Sequence, residues 1–67
     1  MSIIESIENS DHCFTAAELA RLLNVHTLTI RRHIKAGRLK AFYVGAALRI
    51  PPTAAAEWLR ERDAISS

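Results

Sequence analysis

The sequence predicts a mainly α-helical fold with one small β-hairpin. Three observations support this fold class: two short apolar stripes of helical spacing lie three residues apart, strand-forming residues then flank a glycine, and a last helical pattern follows two adjacent prolines. A core built from 67 residues supplies only about 3–5 kcal/mol of stability and has no room for an enclosed catalytic cleft. We therefore expect one small domain.

The first predicted helix begins at Thr15, because Thr15 and Glu18 have the spacing of a capping box. It ends near Asn24, a residue type that tolerates the left-handed dihedral angles of a helix exit. The inward stripe of this helix is predicted to consist of Leu19, Ala20 and Leu23, with Phe14 placed against its start.

The second predicted helix runs from about residue 27 to residue 36 and combines an apolar face with a basic face. Ile30 and Ile34 stand four residues apart and therefore share the packing face. Gly37 supplies the left-handed residue at which such a helix stops. The opposite face is predicted to carry Leu28, Arg31, Arg32 and Lys35.

The link between these two helices is short. It consists of Asn24, Val25 and His26, and so short a link makes the two helices cross steeply. Val25 is predicted to be the apolar plug of the turn, and either His26 or Thr27 caps the second helix. This layout is typical of a helix-turn-helix, whose second helix enters the major groove of DNA.

A small hairpin is predicted after the second helix. The residues FYV at 42–44 favour a strand, Gly45 with Ala46 marks a turn, and residues 48–50 return. The alternation is imperfect around Ala41, so a bulge is an alternative there. The predicted inward residues are Leu39, Phe42, Val44 and Ile50, whereas Lys40, Tyr43 and Arg49 stay available to solvent or to a ligand.

A third helix is predicted over residues 53–62, because Pro51 and Pro52 preset the entry to a first helical turn. Trp58 lies on its packing face and is expected to be the largest single contributor to the core. The predicted organisation is a flexible leader at 1–12, a winged helix-turn-helix domain at 13–62 and a loose tail at 63–67. The isoleucines of the leader have helical spacing, so a turn of helix is the alternative there.

The net charge is only +2, but the basic residues are concentrated in one segment. Residues 1–20 contain no Lys or Arg, whereas residues 21–50 contain no Asp or Glu. Such a concentration is typical of a surface that binds a phosphate backbone, and a solvated basic face is the simpler alternative. The basic residues of this segment are Arg21, Arg31, Arg32, Lys35, Arg38, Lys40 and Arg49.

In this order of elements the sequence resembles the small winged helix-turn-helix proteins of the excisionase family, relatives of the MerR-type DNA-binding domain. The resemblance covers about residues 13–62 and rests on FTAAELARLLNV, TIRRHIKAGRLKA and VGAALRIPPTAAAEWL. The sequence departs from the family pattern at Tyr43, where an arginine is common, and at His26, where a serine is frequent. It also departs at the wing tip, where Ala46 and Ala47 replace basic residues.

The resemblance implies a DNA-binding surface made by the second helix and the wing. By their chemistry, arginine and lysine neutralise phosphates, threonine bonds either kind of base edge, and leucine meets a thymine methyl group. The candidate DNA-binding residues are His26, Thr27, Leu28, Arg31, Arg32, Lys35, Lys40, Tyr43 and Arg49.

The resemblance also implies a role in DNA recombination. Short proteins of this family line up on adjacent sites of double-stranded DNA, self-associate there, bend the duplex and help a site-specific recombinase. A small transcriptional repressor with the same fold is the close alternative. An alternative of another class is a protein-interaction module in which the basic surface and the stripe of Ile3, Ile4 and Ile7 dock the recombinase.

The sequence gives no support for catalysis, a metal or a cofactor. No acid lies in the basic segment to assemble a nucleophile-and-base site, and the spacing of His12, Cys13, His26 and His33 matches no zinc ribbon or finger. A single cysteine forms no internal disulfide, and the chain has neither a signal-peptide pattern nor an apolar run of membrane-spanning length. We therefore expect a cytoplasmic protein that is not an enzyme.

Overall fold

Six elements follow one another in the computed structural model, which describes the backbone of residues 2–66 and the side chains of residues 2–62. Met1 and Ser67, the ends of the predicted leader and tail, lie outside the described residues. Helices and one two-stranded antiparallel hairpin make up the fold, so the predicted fold class is confirmed. In chain order the elements are α1 (Ile3–Glu8), α2 (Ala16–Leu23), α3 (Thr27–Lys35), β1 (Phe42–Val44), β2 (Ala47–Arg49) and α4 (Pro52–Ser66).

The helix α2 begins at the predicted capping box. The Thr15 hydroxyl accepts a hydrogen bond from the Glu18 N–H at 3.0 Å, and the Glu18 carboxylate accepts one from the Thr15 N–H at 2.9 Å. These bonds satisfy backbone donors that the first turn of a helix leaves free. The prediction for this boundary is confirmed.

The turn after α2 closes through the backbone. Asn24 has a φ of 56°, in the predicted left-handed region, and the Val25 N–H donates to the Ala20 carbonyl at 2.9 Å. This is the bonding of a Schellman motif, which satisfies the last carbonyls of the helix. The prediction that Val25 plugs the turn is wrong, because backbone hydrogen bonds close the turn and leave the valine side chain 40% exposed.

The hydrophobic core draws on all four helices and on the segments that link them. Phe14 and Ile50 exchange two backbone hydrogen bonds of 2.9 and 2.8 Å, which tie the entrance of α2 to the exit of the hairpin. Fully buried side chains from α2, α3 and α4 meet around this link. The core cluster consists of Ile7, Phe14, Ala16, Leu19, Ala20, Ile30, Leu39, Ile50, Ala55 and Trp58.

The segment 1–12, predicted to be a flexible leader, contains the helix α1 packed against α4. Ile7 is only 2% exposed and belongs to the core. At the end of α1 the Arg60 guanidinium donates two hydrogen bonds of 2.9 and 2.5 Å to the Glu8 carboxylate. This pairing lowers the pKa of Glu8 and raises that of Arg60. Burial of Ile7 and the bidentate ion pair between Glu8 and Arg60 therefore hold the segment on the domain.

The last helix, α4, begins at Pro52 and continues to Ser66, beyond the predicted end at Arg62. Trp58 is buried as predicted, and its ring packs against the imidazole of His33 on α3 with 5.0 Å between ring centroids. The Arg62 guanidinium lies 5.1 Å from the centre of the indole and also donates to His33 Nε2 at 3.0 Å. These contacts fix α4 against the back of α3.

The protonation of His33 is coupled to this packing. Its Nε2 accepts from Arg62, so the neutral ring carries its proton on Nδ1, which is buried and has no hydrogen-bond partner among the described residues. Burial lowers the pKa of His33 from the ordinary value of 6.5, and the positive charges of Arg62 and Arg38 lower it further. The unfolded chain therefore binds this proton more readily than the folded chain does.

We expect the folded protein to lose stability on mild acidification because of His33. A histidine with a lowered folded-state pKa contributes its full stability above pH 6.5 and loses it as the pH falls through the folded-state pKa. The measurement is the urea midpoint at about pH 7.5 and about pH 5. His33→Gln should remove this part of the pH dependence, whereas His12→Gln, at an exposed histidine, should retain it. The same dependence in His33→Gln would contradict the assignment.

The hairpin forms at the predicted place, and Tyr43 is 68% exposed, as predicted, but two residues predicted to point inward are exposed as well. Phe42 and Val44 are 44% and 59% exposed instead of pointing inward. The pairing places Tyr43 opposite Leu48, and Leu48 packs against the core, so the face that carries Tyr43 turns toward α3. Because side chains alternate along a strand, that placement sends Phe42 and Val44 to the outside.

The hairpin turn follows the expected chemistry. Gly45 has a φ of 63° and is the first residue of a two-residue loop, as in a type II′ turn. The returning strand is Ala47–Arg49, one residue earlier than predicted, and its three pairs with β1 are regular. Leu39 and Ile50, on either side of the hairpin, are buried as predicted.

Candidate nucleic-acid interface

His26 sets the start of α3. Its Nδ1 accepts a hydrogen bond from the Leu28 N–H at 3.1 Å, so His26 is the N-cap and Thr27 is the first residue of the helix. The helix ends before Gly37, whose φ is 80° and whose N–H donates to the Ile34 carbonyl at 3.1 Å. The nine-residue helix is therefore fixed at both ends.

The outward face of α3 carries side chains with i, i+3, i+4 and i+7 spacing, which forms one continuous stripe. The fully buried Ile30 holds the opposite face on the core, whereas Leu28 is 49% exposed. Within the part of the chain that the structure describes, neither of the ion pairs involves a residue of α3. The cations of this face therefore have no acidic partner among the residues whose side chains are described. This basic stripe consists of Leu28, Arg31, Arg32 and Lys35.

The hairpin lies beside one edge of the basic stripe and forms a groove with α3. Ile34 and Leu48 line its apolar part, and the exposed Tyr43 side chain lies across from the cations of Arg31 and Lys35. Guanidinium, ammonium and hydroxyl groups are the usual donors to phosphate oxygens. This α3–wing groove therefore has the chemistry to hold one strand of a nucleic-acid backbone next to the helix.

Two predicted site residues lie elsewhere. Lys40 lines a different groove, between the end of α3 and α4, together with Arg38 and Glu57. Arg49 is paired with Phe42 on the hairpin face opposite to Tyr43. There Arg49 makes a minor contribution to the lowered pKa of Glu18, which is mainly due to the hydrogen bond from the Thr15 backbone. The remaining predicted residues lie together on α3 and the facing side of the wing.

A comparison with models of protein families matches residues 13–63, most of the chain, to a family described as "Helix-turn-helix domain". The chain belongs to this helix-turn-helix family. The family is one of DNA-binding domains and includes excisionase-like proteins. No match to a curated protein or to a solved structure was found.

Family membership and geometry agree on which helix faces the DNA. In a helix-turn-helix domain the second helix of the motif reads the major groove, and here that helix is α3. DNA binding is therefore the function class of this domain. Across the described residues, no helix is both long and apolar enough to cross a membrane, and no three His, Cys, Asp or Glu side chains converge as a metal site.

The apolar floor of the α3–wing groove is not predicted by the sequence. The sequence predicts only a returning strand for Leu48 and only a packing face for Ile34, yet both side chains line this groove. A usable signal was present in the turn. A two-residue loop at Gly45 and Ala46 fixes the pairing of Tyr43 with Leu48 and thus places both on one face.

Proposed function

We propose that this helix-turn-helix domain binds a specific sequence of double-stranded DNA by inserting α3 into the major groove. The basic stripe is the observation that carries the proposal. Its cations pair with no acid in the described part of the chain, and Ile30 anchors the helix from the opposite face. These cations contact phosphates and release counterions, which gives affinity without sequence preference. Thr27 and Leu28, at the start of α3, contact base edges and supply specificity.

The α3–wing groove is proposed to hold the backbone of one DNA strand. Arg31 and Lys35 approach that strand from the helix, and the Tyr43 hydroxyl approaches it from the wing. Such contacts fix the position of the helix along the duplex rather than reading bases. Arg49 and Lys40 lie outside this groove, so we assign them at most a peripheral role.

We further propose that the protein acts in DNA recombination as an excisionase-type architectural factor. The support is the resemblance of residues 13–62 to that family, together with the small size of the module. A single module of this kind buries only about 600–1,000 Å² of protein surface on DNA, so we expect modest affinity from one copy and help from copies on adjacent sites. In this role the copies bend the duplex and assist a site-specific recombinase. A transcriptional repressor of the same fold would use the same basic stripe without the requirement for bending.

DNA binding is tested by titrating the protein into random-sequence duplex DNA at low and moderate salt. If Arg31, Arg32 and Lys35 each contact a phosphate, raising the salt fourfold should weaken binding about 40-fold. Backbone amide shifts should change most in residues 27–35 and in β1. A folded protein that does not bind at low salt would refute the proposal and favour a protein-interaction module.

The architectural role is tested on a duplex that carries a site selected by the protein itself. Fluorophores at the two duplex ends should approach each other as several copies bind, because bending shortens the end-to-end distance. A single copy on a straight duplex would favour the repressor instead. The length of the duplex and the fluorophore positions are the same in a scrambled-site control.

A further inference from the structure

We propose that His26 reads a base edge as a hydrogen-bond donor through Nε2–H, while its Nδ1 caps the recognition helix α3. This inference rests on the proposed function, since it assigns a specificity role within the same interface. The ring is exposed and lies at the start of α3, where side chains of a helix-turn-helix reach base edges.

The cap decides which ring nitrogen carries the proton. A backbone N–H only donates, so the 3.1 Å bond from the Leu28 N–H requires an unprotonated Nδ1 on His26. In a neutral imidazole the proton then resides on Nε2. Among the described residues Nδ1 is the only atom of this ring with a hydrogen-bond partner, so Nε2–H is free to donate to DNA.

A histidine cap differs in this respect from a serine cap. Serine has one side-chain oxygen, which stays close to the backbone that it caps. Imidazole has two nitrogens on different sides of a rigid ring, so Nδ1 accepts the hydrogen bond from the helix while Nε2 remains available on the other side of the ring. The cap thereby removes rotational freedom from the donor before DNA arrives, which lowers the ordering cost of the contact.

A fixed donor discriminates among bases. In the major groove guanine presents the acceptors N7 and O6, adenine presents N7, and thymine presents O4. Cytosine presents only its amino donor, which cannot accept a bond from Nε2–H. We therefore assign to His26 the exclusion of cytosine at the one base that its ring faces.

The first test concerns the ring itself and needs no DNA. Long-range nitrogen–proton correlation spectra of the free protein should show the Nε2–H form at His26 in neutral solution. A ring protonated on Nδ1 would overturn the inference, because that ring cannot cap α3. This result is independent of whether the protein binds DNA.

The second test uses site selection from a random duplex library. The wild type should disfavour cytosine at one position by roughly 2- to 13-fold, the value of one hydrogen bond, and His26→Ser, which keeps an N-cap, should lose that preference. His12→Ser, the same change at an exposed histidine on the segment before α2, should retain it. The salt dependence of binding should be unchanged in both variants.

Each outcome has a definite meaning. An unchanged preference in His26→Ser overturns the inference alone, and so does a uniform loss across all sites with a flatter salt dependence, which is the behaviour of a phosphate contact. Failure of the wild type to bind any DNA overturns the proposed function and the inference together.

Discussion

Replacing Arg31 and Arg32 together with alanine should weaken specific DNA binding by at least about 2 kcal/mol, roughly 30-fold. Both side chains are exposed on the outward face of α3, and neither takes part in the ion pairs within the described chain, so the loss falls on the complex and not on the fold. The slope of log affinity against log salt should flatten by about 0.9 for each arginine that contacts a phosphate. Fluorescence anisotropy over a range of salt concentrations measures both effects.

The matched control removes two positive charges from a different surface. Arg38 and Lys40 lie in the same basic segment but line the groove against α4, so their replacement by alanine should weaken binding much less. Equal losses in the two double variants would mean that net charge, and not the geometry of α3, governs binding. Circular dichroism establishes that both variants are folded.

Ile30→Ala should unfold much of the protein. The side chain is fully buried where α3 meets the core, and truncating such an isoleucine costs about 2–5 kcal/mol. A domain of this size has only about 3–5 kcal/mol to lose. Urea unfolding at neutral pH measures the loss, and Ile30→Val should show a smaller one of about 0.5–1.5 kcal/mol.

Leu28→Ala is the comparison on the opposite face of the same helix. Leu28 is about half exposed, so its truncation should change the stability by no more than about 0.5 kcal/mol and weaken only the complex with DNA. If instead Ile30→Ala were as stable as the wild type, α3 would not be anchored as described, and the basic stripe would lose its rigid support.

Local capping chemistry is sufficient to predict the helix boundaries of the motif from the sequence. The Thr15 and Glu18 box, the left-handed Asn24 and the glycine after α3 each act within a few residues of the chain. The sequence also predicts which face of α3 packs on the core, because Ile30 and the outward cations differ strongly in polarity. Capping residues and strongly polar or apolar side chains have few alternative positions in a helix, so their spacing alone predicts the helix ends and faces.

The wing was harder to predict, because its strands are short and apolar on both faces. Phe42 and Val44 are apolar and flank Tyr43, so the pattern favours turning them inward, yet all three side chains of this strand are exposed. The turn fixes the pairing, and packing of Leu48 on the core then fixes the face. That packing is a tertiary contact and is not visible in local spacing.

For a related reason the sequence supports the helix α1 only as an alternative to a flexible leader. An isolated six-residue helix is not stable in water, so its sequence alone favours a frayed segment. Its stabilising partners are distant in the chain: Ile7 packs into the core, and Glu8 pairs with Arg60 on α4. The local pattern contains the isoleucine stripe but does not identify these distant partners.

The backbone link between Phe14 and Ile50 makes the wing part of the body of the domain rather than a mobile flap. It joins the end of β2 to the start of α2, while Leu48 joins the same strand to the core. The α3–wing groove is thus preorganised, and DNA does not have to restrict the motion of the wing on binding. The conformational entropy that a loose wing would lose on association has already been lost on folding.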